Sequence, residues 1–299
     1  MQIFIVDAFT DQLFGGNQAG VVLLRAEQTF PEDALMQKIA AELKHSETAF
    51  VKRIDSDTYQ LRYFTPEGEV PLCGHATISS FTVLREECII ACGNYLAQTA
   101  SGRLNVTVEP DKIWLEMPQG EIVKTLSQEE SEQVYAAYQI KLVEQPLGLQ
   151  PCIVKAGLAD ILLPVGSKEA LDQATQNREE VIRLSREHGL VGVHVFFCPL
   201  EREPTAYCRN FAPLFGIDEE SATGTSNAAL TYYLSTRNRI QTNKVNAFVQ
   251  GEAMGKRSGI LSKIDSDRKI WIGGCAVISM NGTIRMKSQD TKRIKKQRK

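Results

Sequence analysis

Three short stretches of the chain hold residue types that could do chemistry together. The first is Lys44-His45-Ser46-Glu47-Thr48-Ala49-Phe50, where a carboxylate enters an apolar segment. Burial of Glu47 there would raise its pKa toward the range useful for moving protons. The second is Cys73-Gly74-His75. A thiol just before a helix start has its thiolate favoured, and an imidazole can donate to a substrate or act as an acid near neutral pH. The third, Thr223-Gly224-Thr225-Ser226, resembles the second in position but carries hydroxyls in place of the thiol and the imidazole. Glycine at a helix start lets an anion approach the unpaired backbone N–H groups. The alternative is that Gly74 and Gly224 simply make tight turns.

These stretches are related by an internal duplication. Arg62-Tyr63-Phe64-Thr65-Pro66 is matched by Arg209-Asn210-Phe211-Ala212-Pro213 at an offset of 147, and Phe50 by Phe197 at the same offset. Cys73-Gly74-His75-Ala76 corresponds to Thr223-Gly224-Thr225-Ser226 at an offset of 150. Ser101-Gly102 and Lys112-Ile113-Trp114 return as Ser258-Gly259 and Lys269-Ile270-Trp271 at 157. Offsets that grow in steps describe one unit copied once, with loop insertions. A single long repeat is not a solenoid, which needs several short units.

The elements that must position these residues follow from periodicity. Strands are expected over Gln2–Phe9, Gly20–Leu24, Thr48–Ile54, Tyr59–Thr65, Leu104–Glu109 and Ile113–Met117. A helix is expected over Glu32–Leu43, where Leu35, Ile39 and Leu43 share a face. The stretches His75–Leu84 and Ser221–Thr236 carry no formally charged residue. Such helices are buried all round. The expected fold is therefore α+β: two pseudo-symmetric lobes, each a curved antiparallel sheet or barrel around a central helix, with a cleft between them. The expected division is 1–118 for the first lobe and 119–286 for the second, whose last strand may cross back, with 287–299 a basic tail.

Composition narrows the class. The chain has 299 residues, 43% hydrophobic and 23% charged, with a formal net charge of -2. No apolar run is long enough to cross a bilayer. The start, MQIFIVDAF, lacks a basic region and meets Asp7, so a signal peptide is not expected and the setting is read as cytoplasmic. Seven cysteines in such a setting should be mostly reduced, buried thiols. Cys88 and Cys92 stand four apart without a second Cys or His pair, and the histidines show no ligand spacing, so no metal is expected. From Arg285 to Lys299 the chain carries +7, leaving -9 elsewhere. No aromatic residues interleave these cations, so the tail reads as a solvated terminus and not as a nucleic-acid surface.

Taken together, Val6-Asp7-Ala8-Phe9-Thr10, Gly16-Asn17-Gln18-Ala19-Gly20-Val21-Val22, His45-Ser46-Glu47-Thr48-Ala49-Phe50, Arg62-Tyr63-Phe64-Thr65-Pro66, Glu69-Val70-Pro71-Leu72-Cys73-Gly74-His75-Ala76-Thr77 and Ala222-Thr223-Gly224 resemble the PhzF-type phenazine-biosynthesis isomerases, a branch of the diaminopimelate epimerase-like fold. The resemblance covers about residues 1 to 284. It implies a homodimer that moves a proton within a small unsaturated carboxylic acid without a cofactor. By position, Glu47 is the implied acid/base and His75 a substrate-orienting or relay group. Cys73, Gly74, Gly224, Thr225 and Ser226 are implied to bind the substrate carboxylate. The family often reads Asp-Pro-Ala-Thr-Gly where this chain has Glu220-Ser221-Ala222-Thr223-Gly224. Glu220 is thus the implied second active-site carboxylate, one methylene longer, on a turn that loss of proline should loosen. Two rivals stand beside this reading. One is an amino- or imino-acid epimerase or racemase with Cys73 or Glu220 as the opposite-face base. The other is a non-catalytic protein that binds small carboxylates.

Overall fold

The computed structural model describes residues 1–25, 27–141, 146, 148–200 and 203–285. The basic tail beyond residue 285 lies outside the described residues. The chain divides into two units. The first holds Met1–Phe14, Gln18–Leu115 and the chain from Cys275; the second holds Gly15–Asn17 and Glu116–Gly274.

In the first unit, Asn17–Leu23 lies parallel to Glu47–Arg53, with the Asp33–Leu43 helix as the crossover. Glu47–Arg53 then turns back antiparallel along Thr58–Phe64, the hairpin held by Asp55, which accepts from the N–H groups of Asp57 and Thr58. Thr58–Phe64 runs parallel to Gly93–Thr99, and the Gly74–Glu86 helix makes that crossover. Gly93–Thr99 continues antiparallel into Gly102–Val108, which pairs with the strand beginning at Ile113. The final strand, Ala276–Thr283, pairs antiparallel with the first, Gln2–Ala8.

The second unit repeats this order. Leu158–Pro164 is parallel to Gly192–Phe197 across the Lys168–Gln173 and Arg178–His188 helices. Gly192–Phe197 pairs antiparallel with Ala206–Ala212. Ala206–Ala212 is parallel to Asn246–Gln250 across the Gly224–Thr236 helix. Ser258–Ile264 and Ile270–Gly274 follow as antiparallel strands. Strand pairing in each unit is mostly antiparallel, with two parallel pairs. Those pairs are the consequence of helical crossovers, since a strand that returns through a helix re-enters in the same direction.

The two central helices are buried as their lack of charge requires. Every residue from Gly74 to Leu84 is buried, and so are nine of the thirteen in Gly224–Thr236. Three of their hydroxyls bond one turn back: Thr77 donates to the Cys73 carbonyl, Ser80 to that of Ala76 and Thr231 to that of Asn227. Hydroxyls bonded one turn back can enter a core without the penalty of an unpaired polar group. Helix ends and strand ends fall within a few residues of expectation. The strand Gly93–Thr99 escapes sequence reading because Asn94, Tyr95, Gln98 and Thr99 break the alternation.

The duplication reaches single side chains. Arg62 grips Glu69 through Nε and a terminal nitrogen at 2.7 and 2.5 Å and lies over the Phe64 ring at 5.2 Å. Arg209 grips Glu219 through the same atoms at 2.9 and 2.8 Å and lies over Phe211 at 5.0 Å. The cysteines depart from expectation: all seven are free, but only Cys73, Cys152 and Cys208 are buried, while Cys88 and Cys92 are exposed. Those two follow the end of the Gly74–Glu86 helix, where the chain has left the core.

Candidate active site

In the first unit the sheet and the central helix bring Glu47, Cys73 and His75 together. Glu47 opens the strand Glu47–Arg53, and its side chain is 16% exposed. His75 is the second residue of the Gly74–Glu86 helix and is buried. Its Nε2 stands 3.3 Å from Glu47 Oε2 and 3.4 Å from Ser46 Oγ, and its Nδ1 stands 3.5 Å from Cys73 Sγ. Glu47 Oε2 is buried and, among the described residues, accepts no well-aligned hydrogen bond. A buried carboxylate oxygen without an aligned donor costs stability, so its persistence points to a role beyond packing.

Burial pushes the His75 imidazole below its ordinary 6.5, and the nearby Glu47 carboxylate offsets part of that shift. His75 is therefore neutral at neutral pH, with one nitrogen donating and the other accepting. One ring nitrogen faces Glu47 and Ser46 and the other faces Cys73, so the neutral ring can donate on one side while it accepts on the other. The side chain of Cys73, the residue capping the helix, makes no cap hydrogen bond. The first N–H groups of the helix therefore have no side-chain acceptor from the capping position.

The donor atoms of Glu47, Cys73 and His75 all lie within 4.8 Å of one another, a set that could hold a metal ion. Inspection of Cys and His spacings alone misses it because the third donor is a carboxylate on a strand far from the helix start in sequence.

In the second unit the equivalent helix start is organised around Glu220. Its Oε1 accepts from Asn17 Nδ2 at 2.9 Å, and its Oε2 accepts from Thr223 Oγ1 at 2.6 Å. Gln250 Nε2 donates to the Glu220 carbonyl, and Gln250 Oε1 accepts from Asn227 Nδ2. The turn is not loosened by the loss of proline. Ser221 is buried and its hydroxyl donates to the Gly16 carbonyl at 2.8 Å, while Asn17 Nδ2 also donates to the Ala222 carbonyl. Side-chain bonds do there what a proline ring would do by restricting φ.

Gly224 is buried at the helix start and Thr225 is half-buried. Ser226 is 1% exposed, and its hydroxyl donates to the buried Asp160 at 2.6 Å. What Ser226 can present elsewhere is its backbone N–H. Burial raises the Asp160 carboxyl to about 6, although the Ser226 hydroxyl and the Gly192 N–H act to lower it. Sequence reading assigned no role to Ser46, Asn17, Gln250 or Asp160. Asn17 lies in a stretch that carries the family resemblance, so a signal for it was present.

Two units of one connectivity, each built on a buried central helix, define the diaminopimelate epimerase-like class of α+β fold. Within it the chain belongs to the PhzC-PhzF family of phenazine biosynthesis-like proteins, whose model matches residues 6–282, and it is a PhzF-like isomerase by family. An uncharacterized isomerase of Clostridium acetobutylicum is 31% identical over 92% of this chain and 95% of its own length. The crystal structure of a PhzF-family phenazine biosynthesis protein from Bacillus anthracis superposes with a TM-score of 0.83 at 22% identity, covering 96% of this chain and 99% of that one. A probable proline racemase from Agrobacterium radiobacter shares the fold at a TM-score of 0.64 and 12% identity, over 96% and 93%. Among the described residues no helix is long and apolar enough to cross a membrane.

Proposed function

We propose that the chain shifts a proton within a small unsaturated carboxylic acid, without a cofactor, using Glu47 as the single acid/base. The observation that carries this reading is the Glu47 carboxylate oxygen, buried and 3.3 Å from His75 Nε2. As carboxylate, Glu47 takes a proton from one carbon of the substrate, and the electron pair moves along the conjugated system. Glu47 then returns the same proton to a second carbon on the same face, which regenerates the carboxylate. His75, kept neutral by burial, donates a hydrogen bond where negative charge develops. The substrate carboxylate is met by backbone N–H groups at Gly74 and beyond, next to Cys73. The Gly224–Thr236 helix offers donors of the same kind at Gly224, Thr225 and Ser226, with Glu220 beside them. A homodimer is the assembly that the family resemblance implies, and the cytoplasm is the setting expected from the sequence.

Cys73 Sγ at 3.5 Å from His75 Nδ1 favours one second reading, a two-base epimerase in which the thiol serves one face. Its counterpart Thr223 cannot be such a base.

The test is proton NMR in deuterium oxide over a panel of small unsaturated and amino carboxylates, with wild type and Glu47→Gln. Internal transfer of the substrate's own proton, lost in Glu47→Gln, supports the single-base shift. Solvent deuterium at the α-carbon from both faces supports the epimerase instead. Exchange that survives in Glu47→Gln sinks Glu47 as the shuttle.

A further inference from the structure

We propose that Glu47, Cys73 and His75 form a binding site for a borderline divalent transition metal of the zinc type, and that its occupancy blocks proton transfer. The binding half stands on geometry alone, and the blocking half rests on Glu47 being the shuttle.

The donor set is one thiol, one imidazole and one carboxylate, with atoms within 4.8 Å of one another. Sulfur and nitrogen donors select zinc-like ions over magnesium or calcium, which prefer oxygen alone. The spacing matches as well. Tetrahedral zinc, with bonds of about 2.0–2.3 Å, sets its nitrogen and oxygen donors roughly 3.3 Å apart and its sulfur roughly 3.6 Å from either. Here His75 Nε2 is 3.3 Å from Glu47 Oε2 and 3.9 Å from Cys73 Sγ. The first edge matches that of a bound ion, the second is slightly longer, and Cys73 Sγ lies within 4.8 Å of the Glu47 oxygen. Three protein donors leave a fourth position for water or a substrate oxygen, the pattern of an open zinc site.

Loading the site needs no redox partner. The Cys73 S–H bond breaks, its proton goes to water, and the sulfur bonds the metal. Neutral His75 coordinates through Nε2, and Glu47 coordinates as carboxylate. A Glu47 lone pair engaged by the metal is no longer available to a substrate C–H.

The experiment is a Co²⁺ titration of the full chain, read by visible absorption and followed by Zn²⁺ displacement. Because Cys88 and Cys92 are exposed free thiols four residues apart, it is run both in wild type and in Cys88→Ser/Cys92→Ser. We expect a thiolate-to-cobalt band with tetrahedral-intensity visible bands in both proteins, abolished by Zn²⁺. The band should vanish in Cys73→Ser, and Glu47→Gln should bind at least about tenfold more weakly. Circular dichroism checks that each variant is folded. Should Cys73→Ser not fold, ¹¹³Cd NMR of the wild type reads sulfur coordination directly from its shift. Absence of the band, a band that persists in Cys73→Ser, or one lost with Cys88 and Cys92 overturns the site. Zn-loaded protein that still transfers the substrate proton overturns the blocking role. An inactive metal-free protein, by contrast, bears on the proposed function and leaves the cobalt result to stand by itself.

Discussion

His75 Nε2 stands 3.3 Å from Glu47 Oε2 in the first unit, a close approach between a neutral imidazole and a carboxylate oxygen that accepts no aligned bond among the described residues. The strand supplies one partner and the helix start the other. That arrangement makes Glu47 the group on which function should depend most.

Glu47→Gln keeps the shape and the possibility of a hydrogen bond but removes the base. Its proton-transfer rate should fall by at least about 10²–10⁴-fold, the usual share of a general acid/base. Thermal unfolding should change little, since the buried charge is removed along with its desolvation cost. A large loss of melting temperature would instead mark Glu47 as a structural residue. Rate by NMR and melting by calorimetry separate the two.

Asn17→Ala strips Glu220 Oε1 of one donor and the Ala222 carbonyl of another. Leaving such acceptors without a partner costs about 1–3 kcal/mol. We expect a lower urea midpoint and a disordered Glu220 turn, detected as faster amide exchange at Ala222–Gly224. Unchanged protection there would show that Thr223 and Gln250 suffice.

Two buried groups in the second unit should give opposing pH dependences of stability. Burial lowers His194 from its ordinary 6.5 to about 4, although Asn210 and Asn227 act to raise it. The unfolded chain therefore binds a proton there between pH 6.5 and 4 that the folded chain refuses, and stability is lost as the pH falls through that window. Burial raises Asp160 from 3.8 to about 6, so the folded chain holds the extra proton, and stability is lost as the pH rises from 3.8 to 6. Each effect is about 3 kcal/mol in full, and the two nearly cancel. Asp160→Asn should unmask a steep rise in stability from pH 4 to 6.5, and His194→Gln a fall over pH 4 to 6. Urea midpoints across pH 4–7 check both, and parallel curves for the two variants would refute the assignment.

The duplicated arginine clamps form an internal control. Arg209 and Glu219 are 12% and 16% exposed, against 22% and 33% for Arg62 and Glu69. Arg209 also donates to the carbonyls of Leu171, Asp172 and Ala174. Glu219→Gln should cost about 2–3 kcal/mol, approaching the loss from a broken buried pair, while Glu69→Gln should cost about 1 or less. Chemical denaturation of the two variants side by side decides, and equal losses would mean that burial does not set the difference.

By itself the sequence determined a duplicated unit, two uncharged helices that had to be buried, and a short set of candidate groups that included Glu47, Cys73, His75 and Glu220. Those features are legible because periodicity and repetition are properties of neighbouring residues. Tertiary structure alone decided which distant groups meet. Asn17 reaches Glu220 across 203 positions of the chain, Ser226 turns inward to Asp160, and Ser221 ties down a turn that seemed loosened by the missing proline. It also brought Glu47 from its strand to Cys73 and His75, creating a donor set that spacing alone does not reveal. The physical reason is that local pattern sets which face of an element is buried, whereas the parallel crossovers set what that face is buried against.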